Sequence, residues 1–241
     1  MEEIVIKIIE LQKIYKQRSK KINALKGINL NINKGEIFGF LGPNGAGKST
    51  TIKIMAGLIK PTQGKVLINN KRSENPNSRR RLGFLPENPS FIETLKGREL
   101  LLLSAKIHGI IEQDAKEKID YILKLLSLYD AAQREIRKYS KGMIQKIGFA
   151  SCIIHDPDIL ILDEPLSGLD PIARYQFKKI FRDLKDKGKT IFFSSHIIPD
   201  VEDLCDRIAI INKGKLAIIL ERSEIKNLEE IFINITQHGK I

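Results

Sequence analysis

Gly42-Pro43-Asn44-Gly45-Ala46-Gly47-Lys48-Ser49-Thr50 is the stretch that decides how the rest of the chain is read. Residues 36–41 before it form an almost unbroken apolar run ending at a glycine, the pattern of a strand buried on both faces. After it a helix is predicted from Lys48 to about Leu58, stopped at Lys60-Pro61. A glycine-rich turn between a buried strand and a helix lets the backbone close round phosphate oxygens, with successive amides and the helix amino terminus directed at the anion. Lys48 then neutralises terminal phosphates and the Ser49 hydroxyl can hold a magnesium ion.

A phosphate cradle of this kind needs a carboxylate at the end of a neighbouring strand. The apolar run at 159–162 leads directly into Asp163-Glu164, which places Asp163 within reach of the magnesium ion and Glu164 opposite the terminal phosphate. An Asp-Glu pair points to hydrolysis, because one acid manages the metal while the second polarises a water.

Further strands are expected at 4–9, 30–32, 64–68, 81–85, 190–194 and 207–211, with helices near 171–187 and 199–205. Strands alternating with helices specify a parallel sheet covered on both faces. Residues 97–155 differ: three helical stretches rich in leucine, lysine and glutamate with no convincing strand, as expected of an inserted helical lobe. The amphipathic segment 216–241 reads as a terminal strand and short helix.

Composition narrows the classes. With 42% hydrophobic residues the chain can bury a core, which excludes disorder as its main state. No run approaches the roughly 18 apolar residues of a membrane helix, so work at a membrane requires another chain to span it. The start, with Glu2 and Glu3, lacks the features of a signal peptide, and export is not expected. The two cysteines, Cys152 and Cys205, have no metal-ligand spacing and read as ordinary thiols of a reducing compartment. A net charge of +12, with basic clusters at 16–21 and at Arg79-Arg80-Arg81, attracts polyanions without choosing among nucleic acid, anionic lipid and nucleotide. Aromatic residues are scarce in those clusters, which counts against base stacking.

On these residues the sequence resembles the ATP-binding cassette (ABC) family over nearly its whole length. Tyr139-Ser140-Lys141-Gly142-Met143 lies where that family carries its signature, usually Leu-Ser-Gly-Gly-Gln, and Ser167-Gly168-Leu169-Asp170 looks like its D-loop. His196 matches the switch histidine, Leu85-Pro86-Glu87 falls at the Q-loop, and Tyr15 stands where an aromatic ring stacks on adenine. Two departures are visible. Glu87 replaces the usual glutamine, and Lys141 and Met143 replace a glycine and a glutamine of the signature. Both variants look like those of single-domain cassettes serving export-type transporters.

The resemblance implies an α/β P-loop NTPase (RecA-like) core of mostly parallel sheet, with an antiparallel β subdomain and an inserted helical subdomain. Residues 1–96 and 156–215 would form the catalytic core with its β lobe, 97–155 the helical signature lobe and 216–241 a terminal extension. It implies ATP and Mg2+ as cofactors, with Tyr15, Gly42 to Thr50, and Ser140 and Gly142 toward the partner subunit's nucleotide, in binding. Ser49, Asp163 and Glu87 would serve the metal, and Glu164, His196 and Lys48 catalysis. Two cassettes, identical or related, would close head to tail round ATP and drive a separate transmembrane permease subunit from the cytoplasmic face of the membrane. No nucleic acid is expected as a partner. The remaining histidines, His108, His155 and His238, are read as structural. The competing readings are a non-transport cassette acting on nucleic acid, ribosomes or a soluble assembly, and a nucleotide-dependent module without turnover. A single cradle without sustained heptads disfavours the first, and the Asp163-Glu164 pair disfavours the second.

Overall fold

The computed structural model describes residues 3–17 and 20–238. Glu2, Arg18 and Ser19 of the basic run, residues 239–241 of the terminal segment and the side chain of His238 lie outside the described residues. In chain order the first elements are β1 (Ile4–Gln17), β2 (Lys20–Asn33), β3 (Ile37–Leu41), α1 (Lys48–Met55), β4 (Gln63–Ile68), β5 (Lys71–Arg72) and β6 (Leu82–Leu85). Three helices follow, α2 (Gly97–Ile107), α3 (Glu112–Leu125) and α4 (Lys141–Ile153). The chain then alternates through β7 (Ile159–Asp163), α5 (Pro171–Asp186), β8 (Thr190–Ser195), α6 (Ile198–Leu204), β9 (Arg207–Asn212), β10 (Lys215–Glu221) and α7 (Leu228–Ile233).

Two sheets result. An antiparallel one has the order β2-β1-β4-β5, and a six-stranded one has the order β10-β9-β3-β8-β7-β6. In the second sheet every pairing is parallel except that of the edge strand β10 with β9. All five residues of β3 are buried, and they alternate between two cores: Ile37 and Leu41 face the helix-covered core, while Phe38 and Phe40 belong to the core shared with the antiparallel sheet and α1. This is why its sequence is continuously apolar. Among the described residues no helix is long and apolar enough to cross a membrane.

The first two strands are much longer than the expected segments 4–9 and 30–32. They pair antiparallel as two 14-residue strands whose register shifts between Ile8 and Leu11, between Leu11 and Gln12, and between Lys13 and Ile14. Each shift breaks the two-residue alternation by which a strand is recognised, so the pairing continues where the pattern does not. Helix α1 is shorter than expected. It ends at Met55 because Gly57 takes φ +68°, with the Gly57 amide donating to Ile54 and the Leu58 amide to Lys53, before Pro61 is reached.

Cys152 and Cys205 are both buried and free, and burial pushes both thiols up from their ordinary range. Neither is expected to react with iodoacetamide until the protein unfolds. Rapid labelling of the folded protein would contradict this. His108 and His155 stack at 3.7 Å between ring centroids, and burial holds His155 down at about 4, consistent with neutral, structural rings.

Candidate active site

The turn from β3 to α1 is shaped by three glycines with different duties. Gly45 takes φ +78° with open space where a side chain would stand, so its requirement is conformational. A Cβ at Gly42 would lie 2.5 Å from the Ile211 carbonyl, and one at Gly47, itself at φ +112°, 2.7 Å from the Leu25 side chain. These two glycines let the loop sit against β9 and β2. The loop is also tied down by the β9–β10 turn: the Gly214 amide donates to the Ala46 carbonyl at 2.9 Å, and the Lys26 amide donates to the Gly214 carbonyl at 2.9 Å. The result is a cleft of about 490 Å³ lined by Pro43, Asn44, Gly45, Gly47, Lys48, Ser49 and Thr50, with Glu87 and Glu164 on other walls.

Lys48, Glu164 and His196 meet in this region. The Lys48 Nζ donates to the Gly42 carbonyl at 2.7 Å and lies 3.4 Å from Glu164 Oε1, both side chains being buried. His196 Nδ1 is 2.9 Å from Glu164 Oε2. Glu164 stands at φ +49°, a left-handed conformation unusual for a residue with a side chain. Its amide donates to the Ser194 hydroxyl at 3.0 Å, and that hydroxyl donates to Asp163 Oδ1 at 2.7 Å. Ser194, fully buried on β8, therefore holds both acids with one oxygen. Burial raises the Asp163 carboxyl above its ordinary range, opposed by the hydroxyls of Ser194 and Ser49.

The donor set suits magnesium. Ser49 and Asp163 offer two hard oxygens side by side. Among the described residues no group of three or more His, Cys, Asp or Glu side chains is arranged to hold a metal ion, so a cation here would complete its shell with phosphate oxygens and water. Glu87 lines the cleft but is exposed, in the loop after β6.

Other expected positions sit elsewhere. Tyr15 is not among the cleft residues, but it is the cross-strand partner of Ile22, which is, so the two side chains share a face of the hairpin. Ser140 caps α4, its hydroxyl accepting from the Met143 amide at 3.3 Å, and neither it nor Gly142 lines the cleft of its own chain. The turn containing them packs on the loop after β7, where the Lys141 stem lies against Gly168. Asp170 caps α5 by accepting from the Ala173 amide at 2.9 Å, which holds its carboxyl below the ordinary range.

Sequence reasoning missed Ser194 as a holder of the acids, and Ile22, Asn23, Ala24, Lys26, Lys213 and Gly214 as cleft walls. Lys213-Gly214 between two apolar strands signals a hairpin turn, yet nothing local says that the turn lands on the cradle.

The family model described as ABC transporter matches residues 25–167. An uncharacterized ABC transporter ATP-binding protein of Nostoc sp. is 44% identical over 217 residues, covering 88% of this chain and 65% of that protein. The bacitracin transport ATP-binding protein BcrA of Bacillus licheniformis is 41% identical over 215 residues, 88% of this chain and 68% of its own. The chain thus spans about two thirds of the length of these relatives. Among solved structures, the dimeric post-hydrolysis state of the ATP-binding cassette MJ0796 bound to ADP and Pi superposes with a TM-score of 0.84 at 27% identity, covering 90% of this chain and 98% of that one. The fold and its phosphate cradle define a P-loop nucleotide-binding cassette. The chain belongs to the ABC transporter family.

Proposed function

We propose that the chain is the ATP-binding and ATP-hydrolysing subunit of a transporter, working as a pair of cassettes closed round ATP. The observation that carries this is the meeting of Lys48, Glu164 and His196 beside the cradle, a cation for phosphate next to a buried carboxylate with a histidine to orient it. Gly42 to Thr50 wrap the phosphates, and Lys48 exchanges its contact with the Gly42 carbonyl for phosphate oxygens. Ser49 and Asp163 hold Mg2+, with Glu87 as a further oxygen near the attacking water; the ion, when bound, neutralises charge on the phosphates. Glu164 orients and deprotonates water, and His196 exchanges its Nδ1 contact with Glu164 for a hydrogen bond donated to the terminal phosphate. Tyr15, beside Ile22, offers a ring to the base.

Residues 97–155 form the lobe whose Ser140 and Gly142 complete the site of a second cassette. The dimeric MJ0796 structure and the absence of Ser140 from the cleft of its own chain support this arrangement. The partner is a transmembrane permease, and the chain sits on the cytoplasmic face of the membrane through it, in an export-type system as the naming of BcrA for bacitracin transport suggests. The +12 charge is the one observation favouring a cassette that acts on nucleic acid. Affinity capture from detergent-solubilised membranes tests the choice: retention of a multispanning protein supports transport, and retention of nucleic acid in its place overturns it.

The state of Asp163 has a consequence for stability. A carboxyl whose pKa is higher folded than unfolded favours the fold while protonated and disfavours it as pH rises through the folded value. Asp163→Asn still accepts from Ser194. It is expected to melt above the parent at neutral pH in metal-free buffer, an advantage that shrinks toward acid, while magnesium-dependent turnover falls by about a hundredfold. Melting curves at several pH values check the first part. A variant less stable than the parent at neutral pH would contradict it.

A further inference from the structure

We propose that Gln145 is a positioning residue that sets the aim of Glu164 and links it to the first turn of α4. This rests on the reading of Glu164 as the group that handles the attacking water. Gln145 is a buried amide, 3% exposed, on a helix whose Ile147, Phe149, Ala150 and Cys152 pack into the hydrophobic core. Its Nε2 donates to the Pro165 carbonyl at 3.1 Å and, more weakly, to the Glu164 carbonyl at 3.4 Å. An apolar residue would fill such a position without the cost of burying an amide, so the amide's presence points to those two carbonyls.

Glu164 needs holding. Its left-handed backbone is unfavourable for a residue with a side chain, and the direction of its carboxylate follows from that backbone. On its amino side the Ser194 hydroxyl accepts the Glu164 amide, and on its carboxyl side the Ser167 amide closes a turn onto the Glu164 carbonyl at 3.1 Å. Gln145 then fixes the next carbonyl, that of buried Pro165, which has no amide hydrogen of its own to offer. A rotation of these peptides would swing the carboxylate off His196 and Lys48, now 2.9 and 3.4 Å away.

Gln145 stands five residues after the cap Ser140, about 7.5 Å along the same helix. A shift of the Ser140–Gly142 turn as it meets phosphate is therefore carried by a rigid element to the peptide that aims Glu164. Ser194 holds the same residue from the core sheet, so the two contacts grip Glu164 between a strand and the signature helix.

The test compares Gln145→Met, Glu164→Gln and the double variant in the full chain, by single-turnover ATP hydrolysis and by titration with ATP. Gln145→Met is expected to lower the hydrolytic rate about ten- to hundredfold, with ATP affinity within about twofold of the parent. The double variant should be no slower than Glu164→Gln alone, because there is no general base left to misplace. Gln145→Glu adds a signature that a packing role would not produce: its protonated carboxyl donates to Pro165 and its ionised form repels both carbonyls, so its rate loss deepens as pH rises. An unchanged rate in Gln145→Met, or losses that multiply in the double variant, overturns the proposal. Normal turnover of Glu164→Gln alone identifies a different failure, that of the reading of Glu164. Should the methionine variant not fold, Gln145→Asn, too short to reach Pro165, takes its place with the same readouts.

Discussion

Glu164→Gln is expected to lower steady-state ATP turnover by about a thousandfold while nucleotide still binds. The amide matches the carboxylate in shape and can still bond His196, but it cannot take a proton from water. It also ends the buried attraction to Lys48, 3.4 Å away, which leaves the lysine free for phosphate and removes a negative charge facing the anion. Affinity for ATP should therefore hold or rise, and two cassettes closed round ATP should stay closed. Turnover assays with size-exclusion chromatography and light scattering in ATP read both effects. Ordinary turnover would remove Glu164 from the chemistry.

Lys48→Ala should act at the other end of the same pair. A hydrogen bond to a charged group contributes about 1.5–3 kcal/mol, so losing the lysine's contacts with phosphate should weaken ATP binding by about a hundredfold. It also strands Glu164 among buried neighbours with His196 as its remaining close partner. A buried carboxylate that has lost its cation is costly, so the variant should melt below the parent at neutral pH. Nucleotide titration and melting curves check the two parts. Affinity within threefold of the parent would mean that Lys48 stays on Gly42 when ATP is bound.

These two variants divide what Asp163→Asn leaves joined. On the proposed function Lys48 would govern binding and Glu164 cleavage, while Asp163 would be held for the metal at some expense to the fold. The Ser194 hydroxyl, which contacts both acids, makes their geometry a property of β7 and β8 together. Such sharing explains why substitutions at the two acids should not act independently.

Much of the architecture is legible locally because burial on both faces leaves an unmistakable mark. The apolar runs of β3, β7, β8 and β9 are fully or almost fully buried, and each was recognisable as a strand from its residues. The β1–β2 hairpin is legible only in part. Its half-wet strands depend on alternation, and register shifts near Glu10 and Lys13 erase it. Helix α1 ends at Met55, two residues before the left-handed Gly57, and so stops short of the Lys60-Pro61 boundary expected from the sequence.

By itself the sequence determined where the glycine-rich turn, Gly42 to Thr50, and the acids that follow an apolar strand stand in the fold, because both are written in contiguous residues whose spacing already sets their geometry. It also determined the parallel sheet, through strands buried on both faces. Only the tertiary structure decided what closes round the turn and the acids: the Lys213-Gly214 turn clamping the loop, the hairpin wall at Ile22 to Lys26, the hydroxyl of Ser194 under both acids and the amide of Gln145 behind Glu164. These contacts join residues 19 to 188 positions apart, and no local periodicity encodes which distant turn a folded sheet brings to a given loop.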